Sequence, residues 1–204
     1  MSDNHFDLVI IGGGPAGYAA GLYAGAADLA VALIERDKIG GTCLHRGCIP
    51  AKELLETAAV HRTVSNAGEF GVLTSAPGLD FSVTQARKQR IVDGLAAGVE
   101  GLLKRRKVTT FAGTGSLGAG RQVTVTAADG SSQVITGERV LLAAGSVPRS
   151  IPGFDIDGRI VLTSDEVLEL PAVPGSAAVI GGGAIGYEFA SMMSDLGAAV
   201  TILE

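Results

Sequence analysis

Two residues of this chain combine a reactive side chain with a telling position. Cys43 and Cys48 are its only cysteines, and four residues separate them in the segment Gly40-Gly41-Thr42-Cys43-Leu44-His45-Arg46-Gly47-Cys48-Ile49-Pro50. The segment reads as a loop ending at Pro50, a residue tolerated in the first turn of a helix. Cys48 then lies near a helix N-terminus, where unpaired N–H groups and the helix dipole stabilise a thiolate, the nucleophilic form of sulfur. Gly40, Gly41 and Gly47 clear side chains from around the pair and leave room for a flat ring and a disulfide. Reversible dithiol–disulfide chemistry is the reading this favours over two inert cysteines or a structural crosslink. Zinc would need two further ligands, and His5, His45 and His61 show no second paired spacing. Lys52 follows one turn after Cys48. It can make a solvated helical pair with Glu56, or bring positive charge to a cofactor ring that becomes negative on reduction.

The elements that must position these residues begin with an apolar run, Asp7 to Ile11, that ends in Gly12-Gly13-Gly14-Pro15-Ala16-Gly17. Small residues continue to Ala27, and a second apolar run, Leu29 to Ile34, ends at Glu35. This is strand, glycine turn, helix, strand. The pattern returns 169 positions later, with Ser176 to Glu204 aligning without a gap on Asp7 to Glu35. Gly181, Gly183, Gly186 and Glu204 then match Gly12, Gly14, Gly17 and Glu35, with Ala184-Ile185 in place of Pro15-Ala16. In such a unit the first glycine makes the tight turn, the second lets the backbone approach a pyrophosphate, and the third lets helix and strand pack closely. The acid, 18 residues after the last glycine in both copies, is placed to accept hydrogen bonds from ribose hydroxyls. A single copy could be a plain tight turn, but two argue for two dinucleotide sites. Glu204 would repel the 2′-phosphate of NADP and suits NAD.

Between the copies, Pro50 to about Asn66 and Phe81 to about Lys104 read as helices, and the basic tail Lys104-Arg105-Arg106-Lys107 complements a helix C-terminus. Val123–Thr126 and Val134–Thr136 around Asp129-Gly130 read as a hairpin, and Val140–Ala143 as a further strand. Pro148 and Pro152 set a boundary near residue 150, and residues 171–175 form a loop before the second copy. A net charge of −5 with 18% charged residues points away from nucleic acid and anionic membranes as partners. No apolar run approaches a membrane span and no signal peptide is recognisable, so a cytoplasmic location is expected, where cysteines serve as a working pair rather than a staple.

The stretch GGTCLHRGCIPAK resembles the redox-disulfide motif of the flavin disulfide reductases, and the LHRGCIP wording is similar to actinobacterial members. The resemblance covers essentially the whole chain but somewhat under half of a complete family chain. It implies an α/β fold: a Rossmann-like FAD-binding domain of three-layer β/β/α type over residues 1–150, then the start of a second Rossmann-like, NAD-binding domain over 151–204. It further implies that FAD is held by Gly12, Gly14, Pro15, Ala16, Gly17 and Glu35, with Gly41, Thr42, Lys52, Gly115 and Ala144-Gly145-Ser146 beside it. NAD would be held by Gly181, Gly183, Ala184, Ile185, Gly186 and Glu204. Cys48 would face the flavin, Cys43 would exchange with the substrate dithiol, and Glu188 would pair with Lys52. The branch resembled most oxidises dihydrolipoamide on the lipoyl domain of a 2-oxo acid dehydrogenase complex, as a homodimer. Its electrons pass through the disulfide and FAD to NAD⁺.

The family's His–Glu general base and dimer-interface domain are not in these 204 residues, so the expectation is a weakly folded chain with little activity alone. Ala144 and Ala51 stand where Thr, and Ser or Thr, are common in the family. Alternatives are a sister reductase for mercuric ion or a low-molecular-weight disulfide, and a non-catalytic FAD- or NAD-binding fragment. The intact cysteine pair disfavours a transhydrogenase, and its spacing and position disfavour a small thioredoxin reductase.

Overall fold

The computed structural model describes residues 4–76 and 78–204. The chain forms two compact units, one made of Met1–His45 and Asp93–Val147, the other of Arg46–Val92 and Pro148–Glu204.

The first unit is built on β1 (His5–Ile11), α1 (Pro15–Ala26) and β2 (Val31–Glu35). Successive side chains point to opposite faces, so the continuous apolar runs give each strand two buried faces. Val9 and Ile11 of β1 join Ala32 and Ile34 of β2 on one side, while Ile10, Val31 and Leu33 lie on the other. The short helix α2 (Gly41–Arg46) and the long helices α3 (Cys48–Ser65) and α4 (Phe81–Arg105) follow, then β3 (Thr109–Ala112), β4 (Thr114–Leu117), β5 (Gln122–Thr126) and β6 (Ser132–Leu142). The strand order is β3-β2-β1-β6-β5-β4, parallel from β3 to β6 and antiparallel from there.

Val123, Val125 and Ile135 of the antiparallel arm cover the first sheet face, whereas Leu103 and Val99 of α4 and Tyr18, Leu22 and Ala24 of α1 cover the second. The layers are therefore sheet, sheet and helix, the Rossmann-like arrangement expected. The two strands anticipated at 134–136 and 140–143 are one element. Residues 132–136 of β6 pair with β5, and 136–142 pair with β1, so a single strand serves both arms.

In the second unit β7 (Ser176–Ile180), α6 (Ala184–Asp195) and β8 (Ala199–Leu203) form a two-stranded parallel βαβ unit. Its core holds Ala51, Leu54 and Ala58 of α3 with Phe189, Met192 and Met193 of α6. Leu168 of α5 (Ser164–Leu168) completes it. The spacing of these apolar residues on α3 and α6 is that of helices with one buried face.

α3 begins two residues earlier than expected, at Cys48, and the segment before it, read as a loop, is largely the helix α2. Pro50 is compatible with this because the first-turn N–H groups of a helix have no intrahelical partner to lose.

Candidate functional site

The doubled glycine unit is reproduced in atomic detail. Helix α6 occupies the positions of α1 shifted by 169, and the strand registers match, Leu8 facing Val31 as Ala177 faces Val200. Gly12 and Gly181 turn the chain at φ 107° and 102°, a left-handed conformation that favours glycine. Their N–H groups donate to the carbonyls of Ile34 at 2.8 Å and Leu203 at 2.7 Å. A side chain on Gly17 would overlap the Gly12 carbonyl oxygen, and one on Gly186 that of Gly181. Close helix–strand contact is thus the work of the third glycine in both copies. The helix caps Gly14 and Gly183 are extended, with ψ −172° and 177°, and no side chain caps the first-turn N–H groups of α1 or α6. A β-carbon at Gly183 would meet nothing within 4 Å, and one at Gly14 only Gly41 Cα at 3.9 Å. Both turns therefore fit a pyrophosphate: no side chain caps the first-turn N–H groups and the cap glycines leave the approach open.

The acids close the turns. Glu35 Oε2 accepts from the Gly13 N–H at 2.7 Å and Oε1 from the Asp37 N–H at 2.8 Å. Glu204 Oε2 accepts from the Gly182 N–H. A carboxylate has four acceptor positions, so these bonds leave capacity for ribose hydroxyls.

The segment leading to the first cysteine is fastened to the first turn. The Gly40 N–H donates to the Gly13 carbonyl at 2.8 Å, and a β-carbon on Gly41 would come within 2.6 Å of Gly14 Cα. Gly41 is thus a glycine of close approach, and it seats Thr42 and Cys43, the second and third residues of α2, beside the glycine turn. At the carboxyl ends of β1 and β6, Ala143 and Ala144 line the turn so tightly that a side chain on Gly12 would strike the Ala143 carbonyl. Gly145 and Ser146 continue as exposed chain. Gly115 faces inward, where a β-carbon would lie 3.1 Å from Ile11 Cγ2 and 3.3 Å from Ile34 Cδ1. Packing of the antiparallel arm on the sheet already accounts for glycine there.

Cys43, in the first unit, is half-buried, and Cys48, in the second, opens α3 and is exposed. One turn on, the Lys52 Nζ pairs with Glu188 Oε1 of α6, not with Glu56. Pro15 and Ala16, like Ala184 and Ile185, are exposed at the first turns of their helices.

Each histidine has a local partner: His5 contacts Thr136 and Glu138, His45 the Ile39 carbonyl, and His61 the Asp195 carbonyl. Among the described residues no cluster of three or more potential metal-ligating His, Cys, Asp or Glu side chains occurs, and no helix is long and apolar enough to cross a membrane.

Sequence reading missed the polar cluster that holds α5. Lys88, 2% exposed, donates to the Leu168 carbonyl at 2.7 Å and to Glu169 Oε1 at 2.8 Å, and Gln85 Nε2 donates to the carbonyls of Leu168 and Leu170. Only the three-residue spacing of Gln85 and Lys88 on α4 hints at it.

Fold and site define a Rossmann-like protein with two glycine turns of matching geometry, one of them joined to a cysteine segment. Residues 6–204 match the family described as pyridine nucleotide-disulphide oxidoreductase. The chain belongs to that family, whose members use FAD and NAD(H).

It is 44% identical over 207 residues to a dihydrolipoyl dehydrogenase of Bacillus subtilis, covering 98% of this chain and 44% of that one. It is 40% identical over 204 residues to one of Zymomonas mobilis, covering 100% and 44%. The crystal structure of LpdA from Mycobacterium tuberculosis superposes with a TM-score of 0.88 at 30% identity, over 98% of this chain and 44% of that chain. The chain thus spans under half the length of these relatives.

Proposed function

We propose that this chain is the nucleotide- and disulfide-bearing part of a dihydrolipoyl dehydrogenase-type oxidoreductase, with residues 1–150 as an FAD-binding domain and 151–204 as the start of an NAD-binding domain. The observation that carries the reading is the fastening of the Cys43 segment to the first glycine turn through Gly40, Gly41, Gly13 and Gly14. A turn that served only to hold a nucleotide would not need a reactive thiol built onto it. FAD, when bound, supplies a two-electron acceptor that can return the pair as hydride to NAD⁺.

The chain's own residues have separable tasks. The Gly12–Gly17 turn and Glu35 bind the ADP half of FAD, and Gly181–Gly186 with Glu204 bind that of NAD. Gly41, Thr42 and residues 144–146 border the first of these. One sulfur of a substrate dithiol attacks Cys43 of the Cys43–Cys48 disulfide, and Cys48 leaves as thiolate. The second substrate sulfur then displaces Cys43, giving substrate disulfide and an enzyme dithiol. Glu188 orients the Lys52 ammonium by the ion pair seen here. The substrate class is dihydrolipoamide on a lipoyl domain of a 2-oxo acid dehydrogenase complex, met in the cytoplasm by a homodimer of the full-length protein.

The test uses the chain loaded with FAD under anaerobic conditions. Dihydrolipoamide should bleach the flavin absorbance, and Cys43→Ser and Cys48→Ser should each abolish the bleaching without releasing the flavin. Bleaching at the original rate in the Cys48→Ser variant would refute the assignment.

A further inference from the structure

The middle glycine of each Gly-Gly-Gly run lies outside the G-x-G-x-x-G pattern, yet both copies have one, Gly13 and Gly182. The structure gives a reason that differs from those of the patterned glycines. Each donates its N–H to the acid at the end of the following strand. That acid also occupies the space a side chain would need. A β-carbon on Gly13 would sit 2.9 Å from Ile39 Cδ1, 3.1 Å from Glu35 Cβ and 3.2 Å from Glu35 Oε2, and one on Gly182 would lie 2.8 Å from Glu204 Oε2. The arrangement occurs independently in the two copies.

We propose that Glu35 and Glu204 are positioning residues that tie their glycine turns into the nucleotide-accepting shape before any ligand arrives, with Gly13 and Gly182 as the other half of each tie. The ligand class is the ADP moiety shared by FAD and NAD, and in this respect the inference rests on the proposed function. An acid that served the ribose alone would matter only to ligands carrying ribose hydroxyls. An acid that also holds the turn matters to the pyrophosphate as well, because the N–H groups facing it belong to the tied backbone.

ADP and 2′,3′-dideoxy-ADP separate the two roles. Binding to the 204-residue chain is followed by NMR through the Gly13 and Gly182 amide signals, which report each turn separately. Glu35→Ala should weaken ADP at the first turn and still weaken dideoxy-ADP about threefold or more. It should also speed exchange of the Gly13 amide about tenfold or more, as loss of a charge-assisted hydrogen bond requires, while leaving Gly182 unchanged. Glu35→Gln keeps an acceptor oxygen and should restore most of the dideoxy-ADP affinity. Glu204→Ala should mirror these effects at Gly182, and it decides the matter if Glu35→Ala does not fold.

Dideoxy-ADP affinity unchanged in the alanine variants would overturn the tie. If the unmodified chain binds neither probe, the nucleotide reading fails instead. Amide exchange then still judges the tie: acceleration in the variants supports it, and unchanged exchange overturns it.

Discussion

Lys52 shows what residue spacing can and cannot disclose. Helical periodicity offers Glu56 as its partner, because residues four apart share a helix face. The observed partner is Glu188, 136 positions away, brought there by packing of α3 on α6. Only the family resemblance named that residue, since a long-range contact leaves no trace in local spacing. The paired side chains remain 58% and 41% exposed, so the bond contributes at most about 1 kcal/mol to stability. Lys52→Met should therefore leave the urea midpoint nearly unchanged while slowing flavin bleaching by dihydrolipoamide at least about tenfold. A large loss of stability with normal bleaching would make the pair structural. Lys88 is the converse case. Between Arg87 and Gln89 it looks like part of a solvated face, yet it is buried against the end of α5. Lys88→Met removes the ammonium donor from the Leu168 carbonyl and should cost about 1–3 kcal/mol in urea denaturation; a change within error would contradict that role.

At the scale of elements, the βαβ unit was legible twice because its glycines, acid and apolar runs are all local features. The α2 helix was not, since the glycines around the cysteines read as loop and the close approach of Gly41 to Gly14 exists only in the folded chain. The fused strand β6 escaped for a similar reason, as its two halves have different partners. The turn geometry also predicts unequal glycine substitutions. Gly183→Ala enters open space, whereas Gly186→Ala collides with the Gly181 carbonyl. Thermal melts should show a small change for the first and several degrees of loss, or failure to fold, for the second; equal effects would contradict the packing role.

A pH effect belongs to α5 and the loop before it. The Thr163 hydroxyl, followed by its N–H, holds the Glu166 carboxyl below its usual range. The N–H groups of Arg159, Ile160 and Val161 do the same for Asp157. A lowered carboxylate contributes stability that is fully present above its unfolded-state pKa and is lost as pH falls through the folded one. Stability should thus hold above about pH 5 and decline below about pH 4. Asp157→Asn should make that decline shallower when the urea midpoint is followed against pH.

Across the whole molecule, the two copies of the unit stand in different surroundings. β1 and β2 belong to a six-stranded sheet with cores on both faces, whereas β7 and β8 form a two-stranded sheet with no fully buried residue in either strand. Two strands alone are marginal, so amides of β7 should exchange with solvent far faster than those of β1. Comparable protection would contradict this. The chain covers 44% of the length of its Bacillus subtilis relative, so tests on these 204 residues address the thiols and the turns, not the complete turnover.

The most direct of these tests counts thiols on the FAD-loaded chain under denaturing conditions, before and after anaerobic addition of one equivalent of dihydrolipoamide. The oxidised protein should show no titratable thiol, and two should appear after removal of the spent substrate, with loss of flavin absorbance on further reductant. Two thiols titrating throughout, with a flavin that dihydrolipoamide never bleaches, would contradict the redox-disulfide assignment.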